Sequence, residues 1–135
     1  MHWMAAAATL AGRARPASRP NPAVGAVIVR DGRVIGRGWT KPGGRPHAEA
    51  VALEMASDAA RGAELYVTLE PCAHQSVRGP SCTALISRSG LTRVIAAVED
   101  PDPRTAGSGL AALSQAGIET QLLPHPAASA SLTGY

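Results

Sequence analysis

The run Ala23 to Val29 carries no polar side chain, and Asp31-Gly32 then leads directly into a second run, Arg33 to Trp39. A short, wholly apolar stretch is the pattern of a strand buried on both faces. Asp-Gly between two such runs is a two-residue hairpin signal, because both positions tolerate positive φ. The chain therefore begins its sheet with an antiparallel hairpin. A strand buried on both faces also needs cover from two layers, and the remaining runs must supply it.

They alternate. Met4 to Ala14 is Ala-rich and reads as a first helix, ended by Pro16, Pro20 and Pro22. Thr40 to Arg45, with Pro42, Gly43 and Gly44, is a loop. Pro46 suits a helix start, and His47 to Ala56 is a helical run. Ala63 to Leu69 reads as a third strand, and Ser81 as the N-cap of a helix from Cys82 to about Ser89. Gly90 closes that helix. Thr92 to Val98 is a fourth strand, and Asp100-Pro101-Asp102-Pro103 a loop at its carboxyl end. Ser108 to Ala116 and Ile118 to Leu123 complete the alternation as helix and strand.

Strand–helix–strand units require parallel strands and right-handed crossovers. The expectation is an α/β chain with a three-layer α/β/α architecture, built on a mixed five-stranded sheet with an N-terminal antiparallel hairpin. At 135 residues it is one domain, residues 1–123, with residues 124–135 as a tail or the start of a linker. Phe is absent and aromatics are 3%, so Val, Leu, Ile and Ala must fill the core.

The net charge of +3 suits solubility, and after that attraction of a small anionic substrate. No Lys/Arg stripe interleaves with aromatics, which argues against nucleic acid as partner. Two cysteines cannot build a disulfide framework, which places the chain in a reducing cytoplasm. Ala5 to Ala11 imitates a signal core but has no basic leader, and no apolar run is long enough to span a bilayer.

Four residues stand out against this scaffold: His47, Glu49, Cys72 and Cys82. An imidazole and two thiolates suit zinc, a borderline-soft ion. Two thiolates also neutralise the 2+ charge, which leaves a bound water harder to ionise. A carboxylate that is not a ligand offsets this by taking the proton, and Glu49 is the residue for that. This is the parts list of a zinc-dependent deaminase. Residues two apart in a regular helix point nearly opposite ways, so His47 and Glu49 converge only if His47 lies at the helix entrance. The start of the second metal-bearing helix favours a thiolate on Cys82. The bland alternative is a structural zinc site with His74 as fourth ligand, which gives Glu49 no role.

The segments Pro20-Asn21-Pro22-Ala23-Val24-Gly25, Gly43-Gly44-Arg45-Pro46-His47-Ala48-Glu49, Thr68-Leu69-Glu70-Pro71-Cys72-Ala73-His74 and Asp100-Pro101-Asp102-Pro103 occur in that order. The set closely resembles the deaminase domain of the bifunctional riboflavin-biosynthesis deaminase/reductase, within the cytidine deaminase-like superfamily. The resemblance covers Met4 to Leu123. It implies zinc-dependent hydrolytic removal of the 2-amino group from a phosphorylated pyrimidine, 2,5-diamino-6-ribosylamino-4(3H)-pyrimidinone 5′-phosphate. By family position Asn21 and His74 would line the pyrimidine and ribose pocket, with Asp100 at its mouth. Lys41, Arg78 or Arg104 would meet the phosphate or lie in solvent.

The chain departs from the family at three points. Nine residues, Ala73 to Ser81, separate the cysteines, one more than is usual. Thr40 stands where many relatives carry His, and Asp102 replaces the usual Asn. The short Cys-x-x-Cys of cytidine, guanine and tRNA adenosine deaminases is absent, which ranks them second. A zinc-stabilised domain without catalysis is the rival from another class. The resemblance also implies an NADPH-dependent reductase half with no counterpart in these residues, so either an excised domain or a stand-alone deaminase is expected. Relatives of this kind associate, which suggests a homodimer or homotetramer.

Overall fold

A computed structural model describes residues 3–18, 21–73, 81–101 and 106–132. In chain order the elements are α1 (Trp3–Ala14), β1 (Gly25–Arg30), β2 (Arg33–Trp39), α2 (Ala48–Ala56), β3 (Glu64–Leu69), α3 (Cys82–Ser89), β4 (Arg93–Val98), α4 (Ser108–Gln115), β5 (Glu119–Leu122) and α5 (Pro126–Ser131). The sheet runs β2-β1-β3-β4-β5. Asp31 and Gly32 both take positive φ, 52° and 74°, which is the backbone a tight hairpin needs to match the twist of its strands.

β1 pairs antiparallel with β2 and also with β3, while β3, β4 and β5 run parallel. β2 and β3 thus point the same way with β1 between them, so α2 is a crossover helix that skips one strand. The sheet is mixed as expected, but the antiparallel share extends beyond the hairpin to the β1–β3 pair.

Alternation along the strands splits the core into two layers. Ala26, Ile28, Leu65, Val67, Val94 and Ala96 pack with Ala48 and Ala52 of α2, Ile86 of α3 and Leu113 of α4. The opposite face sends Val27, Val29, Ile95 and Ala97 against Met4, Ala7 and Leu10 of α1 and Ala128 of α5. Three layers result, filled by aliphatic side chains. The residues from Pro124, expected as a tail or linker, contain α5, and its Ala128 is fully buried. A run of Ala and Ser carries little amphipathic signal of its own, so only the neighbouring α1 reveals this helix.

α2 sits unusually close to the sheet. A Cβ added at Gly38 would lie 2.6 Å from the Ala48 carbonyl oxygen and 2.7 Å from Val51 Cβ, and one at Gly36 would strike the Ala52 carbonyl. Glycines two apart on β2 therefore meet residues four apart on α2, which sets the height of that helix over the strand. Gly38→Ala is expected to destabilise the fold by about 1–3 kcal/mol, the usual cost of overpacking a fitted core. Thermal unfolding of the variant checks this, and an unchanged midpoint would show that α2 yields freely.

Candidate metal centre

His47 is not inside α2 but caps it, with extended φ and ψ of −70° and 161°, and the helix begins at Ala48. Pro46 therefore precedes the cap rather than opening the helix. The consequence is the one the spacing demanded: His47 leaves the helical path, so its ring need not point away from Glu49 on the first turn. The approach is held by backbone bonds from Lys41 N–H to the Pro46 carbonyl, 3.2 Å, and from Gly44 N–H to the Lys41 carbonyl, 2.9 Å.

Cys72 lies just past the carboxyl end of β3, and Cys82 is the first residue of α3. Ser81 caps α3 as expected, accepting from Ala84 N–H at 3.2 Å. The start of α3 docks onto Cys72 twice. Thr83 N–H donates to the Cys72 carbonyl at 3.1 Å, and Cys82 N–H donates to Cys72 Sγ at 3.3 Å. These two bonds close the nine-residue gap whatever path the intervening residues take.

His47, Cys72 and Cys82 bring their ligand atoms within 4.8 Å of one another. His47 Nδ1 is 3.3 Å from Cys82 Sγ and 3.9 Å from Cys72 Sγ. A tetrahedral zinc with bonds of about 2.0 Å to nitrogen and about 2.3 Å to sulfur separates such atoms by roughly 3.5 Å. The observed pair brackets that value, so the donor set fits the ion in both chemistry and spacing.

The electrostatics are those of a site prepared for a cation. A hydrogen bond from Cys82 lowers the Cys72 thiol to about 4, while the same bond and burial push Cys82 up. The start of α3 favours a thiolate, and its first N–H donates to the Cys72 sulfur. The hydrogen bond to Cys72 raises His47 above its ordinary value.

Glu49 is 4% exposed, in the first turn of α2. Burial pushes its carboxyl up to about 7, against the opposing pull of His47. A carboxyl held near neutrality can both accept and return a proton.

The remaining expected residues divide. Asn21 is exposed, and its amide donates to the Gly43 carbonyl at 3.3 Å, against the loop that leads to His47. Asp100 is 9% exposed and lies two residues past the end of β4, at the same sheet edge as Cys72. Lys41 places its ammonium 4.4 Å from the centre of the Trp39 ring, a cation–π contact shared with Arg13. Thr40 is buried and structural: its hydroxyl accepts from Val24 N–H at 3.0 Å and donates to the Pro22 carbonyl at 3.2 Å. His74, Arg78, Asp102 and Arg104 lie outside the described residues.

One residue escaped the sequence reading. Glu70 is 2% exposed, and its carboxylate accepts from the backbone N–H groups of Asp100, Gly107 and Leu110 at 3.0–3.1 Å. The available signal was an acidic residue just past the end of a strand, directly before Pro71-Cys72.

With the centre described, its relatives can be placed. The pattern of the family described as "Cytidine and deoxycytidylate deaminase zinc-binding region" matches residues 1–98. Riboflavin biosynthesis protein RibD of Escherichia coli (strain K12) is 51% identical over 118 residues, covering 87% of this chain and 32% of that protein. Acinetobacter baumannii RibD, form 2, superposes with a TM-score of 0.92 at 42% identity, covering 98% of this chain and 37% of the other. A Thermotoga maritima diaminohydroxyphosphoribosylaminopyrimidine deaminase/5-amino-6-(5-phosphoribosylamino)uracil reductase gives a TM-score of 0.81 at 43% identity, covering 88% and 34%. The chain spans about a third of the length of each. The match across the segments that carry His47, Glu49, Cys72 and Cys82 establishes that this chain belongs to the zinc-binding cytidine and deoxycytidylate deaminase family, with RibD proteins of riboflavin biosynthesis among its relatives.

Proposed function

We propose that the chain is a zinc-dependent deaminase that converts 2,5-diamino-6-ribosylamino-4(3H)-pyrimidinone 5′-phosphate to 5-amino-6-ribosylamino-2,4(1H,3H)-pyrimidinedione 5′-phosphate and ammonia. The observation that carries this reading is the meeting of His47, Cys72 and Cys82 beside the buried carboxyl of Glu49. The RibD relatives support the choice of substrate.

His47, Cys72 and Cys82 would hold the ion. Zinc, when bound, supplies a Lewis acid that makes water a competent nucleophile at neutral pH. Glu49 takes a proton from the attacking water and delivers it to a ring nitrogen. It then takes the second proton, from the hydroxyl now on the ring carbon, and hands it to the amine, which leaves as ammonia while that carbon keeps the oxygen as a carbonyl. The carboxyl near 7 matches both halves of that task. Asn21, His74 and Asp100 are assigned to the substrate pocket, and the exocyclic amine faces the centre.

Two free thiols suit a reducing cytoplasm. Among the described residues no helix is long and apolar enough to cross a membrane. Residues 1–123, together with α5 packed against α1, form the catalytic domain, active as a homodimer or homotetramer. Ammonia release from a panel of aminopyrimidines, with zinc measured per chain, tests the reading. Release from the phosphorylated diaminopyrimidine and not from cytidine supports it. Turnover of cytidine alone, or a purified protein without zinc, overturns it.

A further inference from the structure

Glu70 closes β3 and directly precedes the Pro71-Cys72 step. Its Oε1 accepts from Asp100 N–H at 3.1 Å and from Gly107 N–H at 3.0 Å, and its Oε2 accepts from Leu110 N–H at 3.0 Å. Gly107 is the N-cap of α4 and Leu110 its third residue. Gly107 has φ of 77° and makes no side-chain cap of its own. The carboxylate of Glu70 therefore caps α4 from a distant strand, where a negative charge meets free N–H groups and the positive end of the helix dipole.

A second contact fixes the same joint. A Cβ added at Gly109 would collide with the Pro71 carbonyl oxygen and come within 3.1 Å of Glu70 Cγ. The first turn of α4 thus rests directly on the backbone that carries Cys72. Glu70 N–H also donates to the Val98 carbonyl at 2.8 Å, next to the end of β4. Three separate pieces of chain, the Cys72 step, the Asp100 turn and the start of α4, are fastened at one buried side chain.

A buried carboxylate is costly unless its oxygens are satisfied, and here backbone N–H groups of described residues reach both oxygens. That is more than strand termination requires. We propose that Glu70 is a positioning residue that sets the Asp100 turn relative to the metal ligand Cys72, and so fixes the pocket mouth against the metal centre. The proposal rests on the assignment of Asp100 to the substrate pocket. Its effect passes through Asp100 and leaves the ligand set alone, so it acts on substrate binding more than on the chemical step.

Glu70→Gln is the first test. An amide offers one acceptor oxygen and one NH2 donor, so at least one of the three N–H groups then faces a donor. Zinc content is expected to stay at the wild-type level. The kcat/KM for the phosphorylated diaminopyrimidine is expected to fall about 10–100-fold, carried mainly by KM, as loss of uniform binding requires. Glu70→Ala should show the same split more strongly. An unchanged KM, or loss of zinc together with kcat, overturns the proposal, because either result means that Glu70 does not act through the Asp100 turn.

Amide hydrogen exchange of the unmodified protein gives a readout that does not depend on a variant folding. The N–H groups of Asp100, Gly107 and Leu110 should be protected as strongly as those of β4, and exchange at open-loop rates would overturn the clamp. If the unmodified protein releases no ammonia from this pyrimidine, the proposed function fails, while exchange still judges the clamp separately.

Discussion

Glu49→Ala is expected to abolish ammonia release while leaving zinc and fold in place. The carboxyl is buried beside the three candidate ligands, and it lies on the first turn of a helix whose packing comes from Ala48, Ala52 and Ala56. On the proposed mechanism, removing it takes away the group that moves protons between water, ring and leaving amine. General acid–base catalysis by one positioned group contributes about 10²–10⁴-fold. Glu49 serves more than one transfer, so the loss should lie at or beyond the upper end of that range. The fold should not suffer, because burial already disfavours the charged form, which raises its pKa to about 7. Single-turnover assays with zinc measured on the same sample decide the matter. A zinc-loaded variant that still releases ammonia at the wild-type rate would remove Glu49 from the mechanism and revive a purely structural zinc site.

Cys82→Ser should have the other large effect, and it differs in kind: metal and activity are lost together. Serine keeps the size of the side chain but replaces a thiol with a hydroxyl that does not ionise near neutral pH and binds zinc poorly. Loss of a group that merely supports a ligand already costs about 10–100-fold in metal affinity, so loss of a ligand should exceed that. Dialysed protein should retain no zinc and unfold at lower temperature than the loaded wild type. Retained zinc would break the ligand assignment.

Acid should act in the same direction without any substitution. His47 is raised above its ordinary value, and a protonated imidazole cannot ligate. As pH falls through that raised value, protons displace zinc, so affinity is greatest on the alkaline side and declines toward acid. Competition with a chelator at two pH values on either side of neutrality measures this. An affinity independent of pH would mean that His47 is not a ligand.

Much of this architecture is written locally. Asp31-Gly32 specifies its turn because two adjacent residues can both hold positive φ. Apolar runs of strand length and Ala-rich runs of helix length identify the layers, because burial on two faces demands two covers. The identities of His47, Glu49, Cys72 and Cys82 point to a zinc-binding region through the softness of the donors and the presence of one spare carboxylate. None of these inferences needs a coordinate.

What only the tertiary structure decided are relations between distant segments. The first N–H of α3 reaches the sulfur of Cys72, a contact that neither segment encodes alone. The Ala- and Ser-rich segment Pro126–Ser131 becomes a helix because α1 offers it a surface. Glu70 shows the limit most plainly: in sequence it is one acidic residue before Pro71-Cys72, and in the fold it receives N–H groups from residues 30 to 40 positions away. Residue types declare which chemistry is available. Which atoms share it depends on chain geometry over distances that local propensity does not reach.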